Sequence, residues 1–70
     1  MAFETGDRVE WDWAQGSAAG RIEEIHHTRI SRLLKGSRIV RNGSAENPAL
    51  VIRHEKGGEV LKLASEVRHA

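Results

Sequence analysis

Apolar and polar side chains alternate at the start of the chain. Val9, Trp11 and Trp13 share one parity and Arg8, Glu10 and Asp12 the other, which predicts a strand with one buried and one wet face. Gly6-Asp7 ahead of it reads as the turn that starts the strand, through glycine's conformational freedom and an aspartate able to tie its carboxylate to backbone amides one or two residues on. Ala14-Gln15-Gly16-Ser17 is small and polar enough to reverse the chain. Residues 18–27 read as a second strand. The three-residue step between Ile22 and Ile25 breaks the alternation, and a bulge near Glu23-Glu24 restores both to one face. Gly20 within this strand fits the close approach of another backbone, beneath an indole.

Residues 29–41 are ambiguous. Bases at 29, 32, 35, 38 and 41 recur every third position among apolar residues, a loosely helical spacing, but Gly36-Ser37 interrupts it. We read a loop or turn over 28–36 and a β-branched third strand over 37–41. Residues 42–47 are dense in turn formers and end at Pro48. The apolar run of residues 49–54 is the fourth strand, with Leu50 and Ile52 inward. Lys56-Gly57-Gly58-Glu59 makes a hairpin turn into a fifth, residues 60–63, with Leu61 and Leu63 inward. Ala64-Ser65-Glu66 is a short helical turn that delivers Val67 to the core. The pattern predicts an all-β fold: a small five-stranded antiparallel barrel, closed so that no edge strand is left to aggregate. One core is expected, of Val9, Trp11, Ile22, Ile25, Ile39, Leu50, Ile52, Leu61, Leu63 and Val67.

Seventy residues allow one domain, residues 1–70. The absence of cysteine removes any disulfide framework or thiolate zinc site. No apolar run approaches the length of a membrane span, and the first residues do not read as a signal peptide, so a cytoplasmic location is expected. The net charge of +1 hides a segregation. Residues 1–28 set two arginines against six acids, a balance of −4; residues 29–41 carry five bases and no acid; residues 42–70 balance four against four. The basic middle is suited to phosphate or to the acidic third of its own chain.

The order Phe3-x-x-Gly6-Asp7-x-Val9-x-Trp11, then Gly16, Gly20-x-Ile22, Ser44-x-Glu46-Asn47-Pro48 and Leu61-Lys62-x-x-Ser65-x-Val67, covers nearly the whole chain. In that order and spacing it resembles the small Tudor-like domain family named for hypervirulence-associated proteins. The resemblance implies an SH3-like, Tudor-type barrel.

A Tudor cage for methylated lysine or arginine uses about three or four aromatic faces. The chain owns Phe3, Trp11 and Trp13. With Trp11 in the core, Phe3 and Trp13 remain as candidate ligand-binding residues, Trp13 either half exposed at the barrel rim or covering the barrel end. The basic series Arg29, Arg32, Lys35, Arg38 and Arg41 is the candidate nucleic-acid-binding set, although strand alternation sends Arg38 and Arg41 to opposite faces. His26-His27 point apart on a strand, and without cysteine or a His-x-x-x-His spacing no metal site is expected. The serines lack a nucleophile-elbow context, no glycine-rich phosphate loop precedes a helix, and Glu23 and Glu24 face apart, so neither catalysis nor a cofactor is expected. Two expectations follow: a binding module for a protein or peptide at the rim around Trp13, or weak, sequence-independent binding of nucleic acid through residues 29–41.

Overall fold

The structure is a computed structural model that describes residues 2–70. Its strands are β1 (Arg8–Trp13), β2 (Gly16–His26), β3 (Arg29–Leu34), β4 (Ser37–Asn42), β5 (Ala49–His54), β6 (Glu59–Leu63) and β7 (Arg68–His69), with a 3₁₀ turn at Ala64–Glu66 between the last two. They form a five-stranded antiparallel sheet in the order β6-β5-β2-β1-β7 and a separate β3-β4 hairpin. The all-β, antiparallel class and the helical turn are as expected. Closure is not: among the described residues β6 and β7 stand at the two edges of the large sheet, with no strand paired beyond either.

The first hairpin is tight. Trp13 pairs with Gly16, so Ala14 and Gln15 alone make the turn, Ala14 at a φ of 52°. Before β1, Gly6 at a φ of 92° starts the strand, and the Asp7 carboxylate accepts the Glu4 amide three residues back at 2.9 Å, rather than an amide ahead of it. In β2 the register with β5 slips between Ile22 and Glu24, leaving Glu23 as the bulged residue. Ile22 is buried, and the partly buried Ile25 packs on the same cluster, as a bulge there requires.

The core has two layers rather than one. Val9, Trp11, Ile22, Leu50 and Ile52 form the first, with Phe3, Ile25, Val60 and Val67 against it. Ala49, Val51 and Leu61 form the second, covered by Ile30, Leu34 and Ile39 of the hairpin and by Leu63. Successive side chains of a strand point to opposite faces, so β5 gives Leu50 and Ile52 to one layer and Ala49 and Val51 to the other. All four are fully buried. A continuous apolar run is what a strand covered on both faces requires.

Residues 28–36, expected as a loop, instead hold β3. Lys35 and Gly36 take φ values of 50° and 80°, the left-handed pair of a two-residue type I′ turn, and this pairs β3 with β4 over its full length. Partners in the register share a face. Ile30, Arg32, Leu34, Ile39 and Arg41 therefore face the sheet, and Arg29, Ser31, Leu33, Arg38 and Val40 face away.

Candidate functional site

β1 carries its two tryptophans on one face, but they end in different surroundings. Trp11 is 2% exposed and sits in the first core layer, its indole edge-on to His54 with ring centroids 5.7 Å apart. Trp13, one step beyond the sheet's cover at the β1-β2 turn, is 68% exposed. It stands between two recesses. The larger, about 410 Å³, is a groove with Trp11, Trp13 and Ala18 along one wall and Leu34, Lys35 and Ile39 of the hairpin along the other; Val60, Leu61 and Lys62 of the edge strand β6 lie between them. The smaller, about 310 Å³, lies on the side of Arg8, Ser17 and Glu55.

The groove lining is mainly apolar, and its charges are mostly basic: Lys35, Arg41 and Lys62 against Glu59. Arg41 is engaged, its Nε 3.2 Å from Glu66 Oε1. Glu59 lies 3.9 Å from both Arg32 and Arg53. Its carboxyl titrates above the usual range because it shares a hydrogen bond with Glu23 and is partly desolvated. Among the described residues, Lys35 and Lys62 make no ion pair, although the Lys62 ammonium also helps hold the Glu66 carboxylate down electrostatically. Gly58, which has no side chain, lies beneath the stem of Lys35: a methyl there would sit 3.4 Å from Lys35 Cε.

Phe3 and Trp13 are not brought together. Phe3 packs on the first core layer before β1 and stacks on His69 at 4.4 Å, whereas Trp13 is the last residue of that strand. With Trp11 buried, one exposed indole is left at the groove, short of an aromatic cage.

The five bases divide three ways. Arg32 and Arg41 face the sheet; Arg32 donates to Glu24 at 2.8 and 3.4 Å, and the Glu24 carboxylate, also 2.7 Å from His26 Nε2, is held below its usual range by Arg32 first and His26 second. Arg29 and Arg38 face outward beside Leu33, which is 62% exposed, with Arg38 donating to Ser31 Oγ at 3.3 Å. Lys35 lies in the turn, at the groove. Glu23 and Glu24 do not face apart as expected, because the bulge that keeps Ile22 and Ile25 on one face turns both acids to the other: Glu23 pairs with Arg53 and Glu24 with Arg32, and Glu59, which shares a hydrogen bond with Glu23 and lies 3.9 Å from Arg32, joins the two pairs. Among the described residues no cluster of three or more metal-ligating side chains occurs.

The apolar residues Leu34, Ile39 and Val60 of the groove were not singled out as site residues from the sequence. Their signal was available only as ordinary core periodicity, because the groove forms where β6 meets a hairpin distant from it in the chain.

The sequence model of the family described as "Hypervirulence associated proteins TUDOR domain" matches residues 6–67. Neither a curated protein nor a solved structure matches the chain.

Proposed function

Because the chain belongs to the family of hypervirulence-associated protein Tudor domains, we propose that it works as a small non-enzymatic binding module taking a segment of a protein partner in the groove beside Trp13. The observation that carries this reading is the 68% exposure of Trp13 at the mouth of an apolar groove. An indole left in water has more apolar area to bury on association than any other side chain, and its N–H still finds a polar partner at a wet rim. Lys35 and Lys62, which make no ion pair among the described residues, favour acidic residues in the partner. The fitting segment is one apolar side chain flanked by Asp or Glu.

Selection of a random dodecapeptide display library on the immobilised protein, counter-selected on the Trp13→Ala variant, tests this. Enriched peptides should carry the apolar-acidic pattern and lose about tenfold or more in affinity for the variant, as truncation of an aromatic hot spot does. A library that yields no peptide preferring the native protein over Trp13→Ala would overturn the reading, provided circular dichroism shows the variant folded.

Nucleic acid is the second reading. Arg29, Lys35 and Arg38 make no ion pair among the described residues, so they offer three phosphate contacts, while Arg32 and Arg41 are held by Glu24 and Glu66. Such binding would weaken with salt at a log–log slope of roughly −2.7 on duplex DNA. A titration with mixed-sequence duplex at low and raised salt measures it.

A further inference from the structure

The two recesses beside Trp13 share one titratable side chain. Both are lined by Trp13, Ala18 and His54, so the half-buried imidazole of His54 stands on the boundary between the groove and the smaller recess. β5 ends at this residue, and the turn that follows is tied to it. The His54 amide donates to the Gly58 carbonyl, the Gly57 amide to the His54 carbonyl and the Lys56 amide to His54 Nδ1, each at 2.9 Å. Trp11 packs against the ring, centroids 5.7 Å apart. The imidazole is therefore held in place before any ligand arrives.

The same contacts decide which nitrogen carries the proton. A neutral imidazole has one donor and one acceptor nitrogen, and the bond made by one sets the role of the other. Nδ1 accepts the Lys56 amide, so Nε2 is the N–H. Among the described residues Nε2 has no hydrogen-bond partner, and no buried side-chain nitrogen goes unsatisfied, so Nε2 reaches solvent. The charges of the smaller recess point the same way. Its acids are engaged, Glu10 by Arg68 at 2.9 Å and Glu55 by Arg8 at 2.7 Å, although Glu55 also feels the His54 ring through space. Lys56, which lines it too, makes no ion pair among the described residues. A fixed N–H and an unpaired ammonium are left there, the complement of a carboxylate.

We propose that the smaller recess is a carboxylate subsite, in which an Asp or Glu next to the bound apolar residue accepts the Nε2–H of His54 beside Lys56. This rests on the groove beside Trp13 being the binding site. The apolar side chain lies on the groove side of Trp13 and the acid on the other, so the partner segment crosses the indole. Because the imidazole is already held, little freedom is lost when the acid binds. The opposing view is that His54 only caps the turn and its outer nitrogen meets water.

Two variants separate these roles. His54→Asn keeps an acceptor for the Lys56 amide two residues on, as an Asx turn does, but its short side chain lacks the outer donor. His54→Gln carries an amide N–H about as far out as Nε2 and is one methylene too long for the turn contact. The probe is a synthetic dodecapeptide from the Trp13-dependent selection, compared with a copy in which its acid is replaced by the matching amide. The carboxylate subsite predicts that His54→Asn loses about tenfold in affinity for the acidic peptide and nothing further for the amide copy, while His54→Gln keeps most of the affinity. In the unmodified protein, imidazole nitrogen-15 spectra should show the proton on Nε2, and its exchange with water should slow when the acidic peptide binds. A proton on Nδ1, unchanged exchange on binding, full affinity in His54→Asn, equal losses on both peptides, or Trp13-dependent peptides that carry no acid would each overturn the subsite while leaving the groove reading intact. Failure to obtain any Trp13-dependent peptide overturns both.

Discussion

A methyl group added at Gly20 would collide with the Arg53 carbonyl oxygen of the neighbouring strand and come within 2.9 Å of both the Arg53 carbonyl carbon and Ile52 Cγ2. Backbone cannot yield as a flexible side chain does, so Gly20→Ala should cost about 2 kcal/mol by overpacking, read as a lower urea midpoint with unchanged slope. Gly16→Ala is the control: nothing lies within 4 Å of the added carbon and φ is not positive, so the midpoint should hold. The close approach of another backbone at Gly20 was legible from a glycine inside a strand, and that backbone is the β5 main chain at Arg53. The divergence of the tryptophans was legible only in part. Parity places Trp11 and Trp13 on one face, but whether a face is covered at a given point depends on what packs over it, and the cover ends before Trp13.

The β3-β4 hairpin shows where alternation loses its meaning. Arg32 and Arg41 occupy positions that face the sheet, yet their guanidinium groups are satisfied by Glu24 and Glu66 from outside the hairpin. Polar residues on the inward face broke the apolar pattern, and the regular spacing of bases imitated another period. The ion pairs that resolve it are tertiary and invisible along the chain. The turn was equally hidden, since Lys35 takes a left-handed conformation that Asn or Gly adopts more readily. Gly36→Ala should destabilise the protein by roughly 1–2 kcal/mol, because alanine resists the φ of 80° required there. Denaturant titration measures this, and a neutral result would mean the turn has other conformations open to it. β7 was missed for a simpler reason, that two residues carry no period.

Across the whole molecule, acids are spread among bases so that most pair with one. Asp7 is held below its ordinary 3.8 by the Glu4 amide and then His69. Glu23, Glu24 and Glu55 are held below 4.5 by Arg53, Arg32 and Arg8. Burial acts to raise Glu66, but the Leu63 amide and Arg41 outweigh it and lower it too. A lowered carboxylate stabilises the fold fully above its unfolded value and ceases to as pH falls through its folded one. Glu59, raised by Glu23, acts oppositely: its contribution is present below 4.5 and lost as pH rises through its folded value. Five groups against one predict that the thermal midpoint falls between pH 5 and 2, and a flat profile would show these contacts to be energetically silent. The all-β class, the bulge, the helical turn and most of the core were open to reading, while two of the seven strands, the second layer and the missing closure were not; the layer and the closure depend on how distant segments meet. That second layer has a further consequence. The chain leaves the large sheet at His26 and rejoins it at Ala49, and these two residues are register partners. Everything between them is a detour whose entrance and exit adjoin, so it behaves as a cassette: exchangeable for another insert with an apolar underside, but not deletable, since Ala49, Val51 and Leu61 would be uncovered.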